Sequence, residues 1–152
     1  MFEEFFNAHP DVERFKSDTE DRIDDFLNSS ETFPAVYCVL NNQNFTEYPS
    51  GYKADTFSYD LFVLVRRLDF KEKIKDDDLN INQTQNNIEQ CSVIASHFCQ
   101  FIEKYFDSVN SSIYPLNNYG IDGLQGVRLS ISFEVANGLC VESIIKKITE
   151  ND

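Results

Sequence analysis

The most regular pattern in the chain is an alternation of apolar and polar residues over positions 126–138, GVRLSISFEVANG. The apolar residues at every second position are Val127, Leu129, Ile131, Phe133 and Val135. A repeat of two is typical of a β-strand with one buried and one solvated face. The pattern therefore predicts a strand here, with a turn or a bulge at Asn137-Gly138.

Two further strands are predicted at 33–40 and 56–68, joined by the polar, turn-rich segment 41–55. The two strands are most simply an antiparallel pair. In the second strand, Phe57, Tyr59, Leu61, Val63 and Val65 share one face. Because Phe62 and Leu64 are apolar on the other face, the middle of this strand is expected to be covered on both sides, by a helix or by another subunit.

Helical spacing is clearest between residues 82 and 106. Apolar residues there recur every three or four positions, at Ile88, Cys91, Ile94, Ala95, Phe98, Phe101, Ile102 and Tyr105. This spacing predicts one long amphipathic helix. Residues 1–27 are also predicted to be helical, with a break at Pro10. Segments 69–80 and 107–125 are predicted to be exposed loops.

The order helix, strand, strand, helix, strand predicts an α+β fold, an antiparallel sheet with the long helix packed on one face. A length of 152 residues favours one domain over 1–152. Within it, 1–27 forms the helical region, 33–141 the core sheet and helix, and 142–152 a C-terminal tail. The apolar row of the 127–135 strand is expected to rest on the helix, a burial contribution of about 10 kcal/mol before entropy.

The net charge of −13 and the pI of about 4.4 exclude a basic nucleic-acid footprint at the level of the whole chain. The N-terminal residues lack the pattern of a signal peptide, and no apolar run is long enough to predict a membrane span. Cys38, Cys91, Cys99 and Cys140 show no CxxC spacing and lie in apolar patterns. They are expected to be buried, reduced thiols of a cytosolic protein.

Candidate chemistry is sparse. His97 lies at an edge of the helical stripe and His9 precedes Pro10, neither with metal-ligand spacing around it. Residues 76–80 resemble the start of a calcium loop, but Ile81 stands at the required glycine position and Asn87 at the twelfth. Phosphate-binding and nucleophile-elbow motifs are missing. The sequence thus predicts no enzyme, no cofactor and no metal.

The layout of the chain resembles the small neck proteins of tailed phages, the tail-terminator and head–tail joining class. It is most similar to those of Bacteroidetes phages, crAss-like phages included. The resemblance covers about residues 20–140. It is carried by IDDFL (23–27), FPAVYCVL (33–40), FSYDLFVLV (57–65), the helix 86–106 and GVRLSISFEV (126–135).

This resemblance implies a virion protein, assembled in the host cytoplasm, that forms a homo-oligomeric ring, a hexamer or dodecamer. The ring would terminate the tail or join head to tail beside portal, neck and tail proteins. DNA would pass through its lumen without specific binding, as the acidic charge favours. The residues expected at the subunit interfaces are Phe62, Leu64, Tyr48, Tyr52, Tyr114, Tyr119, Arg128 and Glu134.

An alternative hypothesis is a small acidic interaction module of a bacterial host. Immunity and inhibitor proteins often bind basic toxins, and the net charge of −13 suits that role. Such a protein would be a stable monomer or dimer that uses its sheet edge to bind a protein partner, whereas the ring hypothesis requires a larger assembly.

Overall fold

The computed structural model describes residues 1–28, 32–66, 77–120 and 123–136, with the backbone alone at 77–83. Its helices are α1 (Phe2–Ala8), α2 (Ile23–Asn28), which follows a 3-10 turn at Glu20–Arg22, and α3 (Asp77–Tyr105). Its strands are β1 (Arg14–Ser17), β2 (Ala35–Glu47), β3 (Lys53–Val65), β4 (Asp107–Tyr119) and β5 (Leu124–Ala136). The predicted α+β class is confirmed.

The strands form a sheet in the order β1-β2-β3-β5-β4. β2, β3, β5 and β4 are antiparallel to their neighbours, whereas β1 runs parallel to β2. The sheet is therefore mostly antiparallel, with β4 along one edge and the short β1 along the other.

One face of the sheet, called here the α3 face, carries the main core. The apolar row of β5 is buried there with the apolar stripe of α3, as the sequence predicts. α1 contributes Phe6, which is fully buried against the same core. At one end of the helix, buried Gln125 of β5 donates to Thr84 Oγ1 and accepts from Asn87 Nδ2, each at 2.8 Å. These bonds satisfy the buried amide and fix α3 to the start of β5.

The opposite face, called here the α2 face, carries a second core at one end of the sheet. Ile23, Phe26 and Leu27 of α2 are buried against Phe62 and Leu64 of β3. The two-sided burial predicted for the middle of this strand is thus supplied by a helix of the same chain. Phe62 and Leu64 are core residues, which removes them from the surface open to another subunit.

The N-terminal region is not helical throughout. Arg14–Ser17 forms β1, which is paired in parallel with Ala35–Cys38 of β2. The prediction of a helical region over 1–27, broken at Pro10, was wrong at 14–17, because four residues are too few to show a period of two. The tertiary pairing with β2 decides the conformation.

The prediction of a loop at 107–125 was also wrong, since most of this segment forms β4. β4 lies at an edge, so it is exposed along nearly its whole length and shows no alternation of apolar and polar residues. Pro115 is tolerated there because an edge strand need not donate from every N–H. The predicted loop 41–55 is likewise mostly strand, because β2 extends to Glu47 and β3 begins at Lys53.

Several predictions lie outside the described residues, wholly or in part. These are the end of the second strand at 67–68, most of the charged segment 69–80, the turn at 137–138, Cys140 and the tail 142–152. In the calcium-like segment, residues 77–87 have helical backbone, which differs from the conformation of a calcium-binding loop.

We predict that Gly126→Ala destabilises the protein by about 2–3 kcal/mol, the upper part of the range for overpacking. A Cβ at Gly126 would lie 2.0 Å from the Val63 carbonyl oxygen, so β5 and β3 would have to separate locally. Gly51→Ala is the control. It has a positive φ of 79° but open space around it, and should cost only about 1 kcal/mol of backbone strain. Urea denaturation measures both, and equal losses would contradict the role of close packing.

Candidate functional site

The α2 face is open and polar beyond the reach of α2. Neighbouring positions on β3 and β5 place Ser58, Asp60, Arg128, Ser130 and Ser132 side by side there. These are the polar residues that alternate with the apolar rows of their strands. Two adjoining depressions of about 430 and 410 Å³ lie on this face, and Asn41, Asp60 and Arg128 line both of them.

Asp60 is the buried centre of this face, with only 6% of its surface exposed. Arg128 Nη2 donates to Oδ2 at 2.6 Å, Ser130 Oγ donates to Oδ1, and the Asn41 side chain adds a further bond. Burial raises the pKa of Asp60, but these hydrogen bonds outweigh it and hold the pKa below its usual value. The same contact with Asp60 raises the pKa of Arg128. The network ties β2, β3 and β5 together and leaves the carboxylate fully engaged.

This network predicts a loss of stability in acid that Asp60→Asn removes. Because the folded pKa of Asp60 is lowered, its contribution is present above about pH 3.9, the ordinary aspartate value, and is lost as pH falls through the folded pKa. The variant should lose about 1–3 kcal/mol at pH 7 and show a flatter decline below pH 4. Denaturation midpoints from pH 7 to pH 2 measure this. Asp21→Asn, at an exposed site, is the control, and a decline identical to wild type in Asp60→Asn would contradict the assignment.

The turn between β2 and β3 is fastened to β5. Tyr48 Oη donates to the Glu134 carboxylate, and this bond is the main reason that the pKa of Tyr48 is raised. Backbone bonds of 2.8 Å from Tyr48 N to Tyr52 O and from Gly51 N to Tyr48 O close the turn. Tyr52 itself remains 45% exposed. The hairpin tip therefore presents an aromatic side chain from a fixed position.

The sheet has two long exposed edges. β1 covers β2 only along Ala35–Cys38, and residues 40–47 are exposed except for the partly buried Thr46. Across the sheet, β4 pairs with β5 on one side, and no strand of the described ranges lies on its other side. Unpaired strand edges expose backbone donors and acceptors that can pair with another chain.

These two edges, called here the β2 edge (40–47) and the β4 edge (107–119), also expose large apolar side chains. Leu40 and Phe45 are 48% and 57% exposed on the β2 edge, and Ile113 and Tyr114 are 37% and 51% exposed on the β4 edge. Val93 on α3 and Tyr52 at the hairpin tip are the other large apolar residues exposed to this degree in the described part. Four of the six large apolar residues that are exposed in the described part thus lie on the two edges.

Charge is missing from all but one end residue of each edge, Glu47 on the β2 edge and Asp107 on the β4 edge. Charged residues make up 26% of the chain, yet none occurs in 40–46 or in 108–119. Natural proteins usually protect exposed edges with charged side chains, Lys above all. Proline residues and β-bulges also protect exposed edges. The β4 edge carries Pro115, and the β2 edge carries a bulge between Leu40 and Asn42. The long uncharged stretches are suited to contact with another chain.

The residues predicted from sequence as interface positions separate into different environments. Tyr114 lies exposed on the β4 edge and Tyr52 at the hairpin tip, whereas Phe62 and Leu64 are buried. The others make contacts within the chain: Tyr48 with Glu134, Arg128 with Asp60, and Tyr119 with Phe62 at 5.2 Å between ring centroids.

Sequence reasoning missed Leu40, Phe45 and Ile113, whose exposure depends on which strands lie at the edges.

The two histidines meet, although 88 positions separate them. His9 Nε2 lies 3.1 Å from His97 Nδ1, and the Asp11 backbone N–H donates to His9 Nδ1 at 3.2 Å. Burial lowers the pKa of His9, with a further lowering by His97 and an opposing effect of Asp11. The pair links the end of α1 to α3. Sequence spacing carried no signal for it, because the contact is made only by the tertiary fold.

Cys38, Cys91 and Cys99 are buried free thiols, as predicted. Burial raises the pKa of Cys38 and of Cys91 to about 12, so both stay protonated and poorly nucleophilic at neutral pH. In the described ranges, no group of three or more His, Cys, Asp or Glu side chains is arranged to hold a metal ion.

Comparison with protein-family models and with curated proteins finds no match to this chain. Of the helices that the structure describes, none is both long and apolar enough to cross a membrane.

Proposed function

We propose that this chain is a structural subunit of a tailed-phage neck or tail, and that identical copies assemble head to tail into a closed ring. The observation that carries the proposal is the pair of exposed edges, each with a long uncharged stretch, at opposite sides of one sheet. The two edges differ in length and sequence, so each copy offers two unlike surfaces.

Two unlike surfaces are what a ring requires. A two-fold dimer uses one surface twice, whereas a ring is built from heterologous contacts in which one surface binds a different surface of the next copy. Placing the surfaces at opposite sides of a sheet lets every copy bind two neighbours at once. The chain layout, which resembles neck and tail-terminator proteins, supports the same assembly.

The acidity of the chain supports passage of DNA through such a ring. Each copy carries a net charge of −13, and the 3-10 turn with α2 exposes Glu20, Asp21, Asp24 and Asp25. Negative potential around a channel repels the DNA phosphates and opposes binding of the strand to the wall. The ring would therefore join head to tail, or terminate the tail, without holding the DNA.

Native mass spectrometry and sedimentation velocity across a range of protein concentrations test the proposal. The expected result is one closed species of fixed copy number, six or twelve, in equilibrium with the monomer. A monomer or simple dimer at every concentration would contradict the ring. That result, together with tight binding to a basic protein, would favour the alternative of an acidic immunity or inhibitor module.

A further inference from the structure

We propose that the β2 edge of one copy pairs antiparallel with residues 109–114 of the β4 edge of the next copy. The contact would extend the sheet across each subunit boundary and make it continuous around the assembly. This inference rests on the proposed function for its premise that copies associate, and it adds which strands meet, in which direction and through which side chains.

The strand directions of the sheet are compatible with this contact. β2 is antiparallel to β3, β3 to β5, and β5 to β4. β4 therefore runs opposite to β2. When a second copy is placed beside β4 in the same orientation, its β2 lies antiparallel to β4, and the alternation of the sheet continues. Antiparallel pairs are slightly more stable per residue than parallel ones.

The lengths of the regular segments are also similar. Beyond its bulge the β2 edge is regular over six residues, 42–47, and β4 keeps a regular register with β5 over the five residues 110–114 before Pro115, which has no N–H to donate. Ser108 has a positive φ of 54°, beside the irregularity in the β4–β5 register. A symmetric pair of two β4 strands would place Pro115 of both copies near the centre of the ladder. Pairing with the β2 edge avoids Pro115.

Side chains on the two edges match face by face. Leu40 and Phe45 lie on the α3 face, where β3 partners them with Tyr59 and Asp55. Ile113, partnered with Leu129 of β5, and Val109, which packs on the main core, lie on the same face. The α2 face carries the amides and hydroxyls of Asn42, Asn44, Asn110 and Ser112, together with Tyr114. Pairing would bring the apolar side chains of the α3 face together, and most of the amides and hydroxyls together on the α2 face.

The charge pattern favours a second copy as the occupant. Two copies that each carry −13 repel one another, and like charges directly opposite each other across a strand pair add to that repulsion. The two edge segments contribute little to it, because 40–46 and 109–114 contain no charged residue, and Glu47 at the end of the β2 edge is paired with Lys53. An acidic chain can thus approach its own copy along these two strands.

Mixed cysteine variants test the pairing directly. Gln43→Cys on the β2 edge and Ile113→Cys on the β4 edge are prepared separately, one with a mass label, then mixed and treated with a short bis-maleimide. Gln43, partnered with Phe57, and Ile113 both lie on the α3 face. The expected product is a labelled–unlabelled dimer, at least about tenfold above either variant alone, because pairing raises the local thiol concentration.

Val93→Cys mixed with Ile113→Cys is the matched control, since Val93 is exposed on α3 and belongs to neither edge strand. Wild type treated in the same way gives the background from the native cysteines. Dimers formed by one variant alone would overturn the inference. Closed rings without mixed cross-links would also overturn it, but they would leave the proposed function standing. Mixed cross-links in open chains would support the strand pairing and contradict the ring. A monomer without cross-links would contradict both.

Discussion

Phe6→Ala is expected to lower the free energy of unfolding by about 3–5 kcal/mol, the range for deletion of a buried Phe side chain. Phe6 is fully buried although it belongs to a helix of only seven residues. Its ring stacks on Phe15 at 5.0 Å and on Phe98 at 4.9 Å between centroids, so it joins α1 to β1 and α3. A helix this short has little stability of its own. Phe6 is therefore the fully buried contact of α1, beside the partly buried Phe2 and Phe5 that pack on the same core.

Phe45→Ala provides the control for this experiment, because Phe45 is 57% exposed on the β2 edge and its removal should change monomer stability by less than about 0.5 kcal/mol. Chemical denaturation monitored by circular dichroism, at a concentration where the chain is monomeric, measures both variants. A loss below 1 kcal/mol in Phe6→Ala would show that α1 contributes little to the core.

Ile113→Asp is expected to prevent assembly while leaving the monomer folded. The substitution places a carboxylate in the middle of the uncharged stretch of the β4 edge, opposite the apolar side of a neighbouring copy in the proposed pairing. Burying an unpaired charge there should raise the dissociation constant of the contact by at least about a hundredfold, or about 2.8 kcal/mol. Sedimentation velocity across a concentration series measures the shift.

Val93→Asp adds the same charge to an exposed apolar site on α3 and should assemble like the wild type. Circular dichroism establishes that both variants retain the fold, as expected for changes at exposed sites. If Ile113→Asp and Val93→Asp assembled equally well, the β4 edge would not be part of the contact.

The parts of the fold that could be predicted from sequence are those with a strong internal period. The alternation over 127–135 specified β5 and its buried face, and the three- and four-residue spacing specified α3. Apolar residues on both faces of β3 indicated cover on two sides, but they could not say that α2 supplies it. Burial against one partner looks the same in sequence as burial against another.

The candidate site was harder to predict, because its main features are the edges of the sheet. β4 carries no alternating pattern, since both of its faces are largely exposed, and it was therefore predicted to be a loop. Which strands lie at the edges is a property of the strand order, and local sequence does not encode that order directly. The absence of charge in 40–46 and 108–119 was visible in the sequence, but it acquired meaning only when both segments proved to be exposed edges.

Electron microscopy of the purified wild-type chain at assembling concentration tests the head-to-tail ring most directly. We expect closed rings with one rotational symmetry and a central channel, in which strand density continues from β4 of each copy into β2 of the next. Isolated monomers, or two-fold dimers joined through the same edge of both copies, would contradict it.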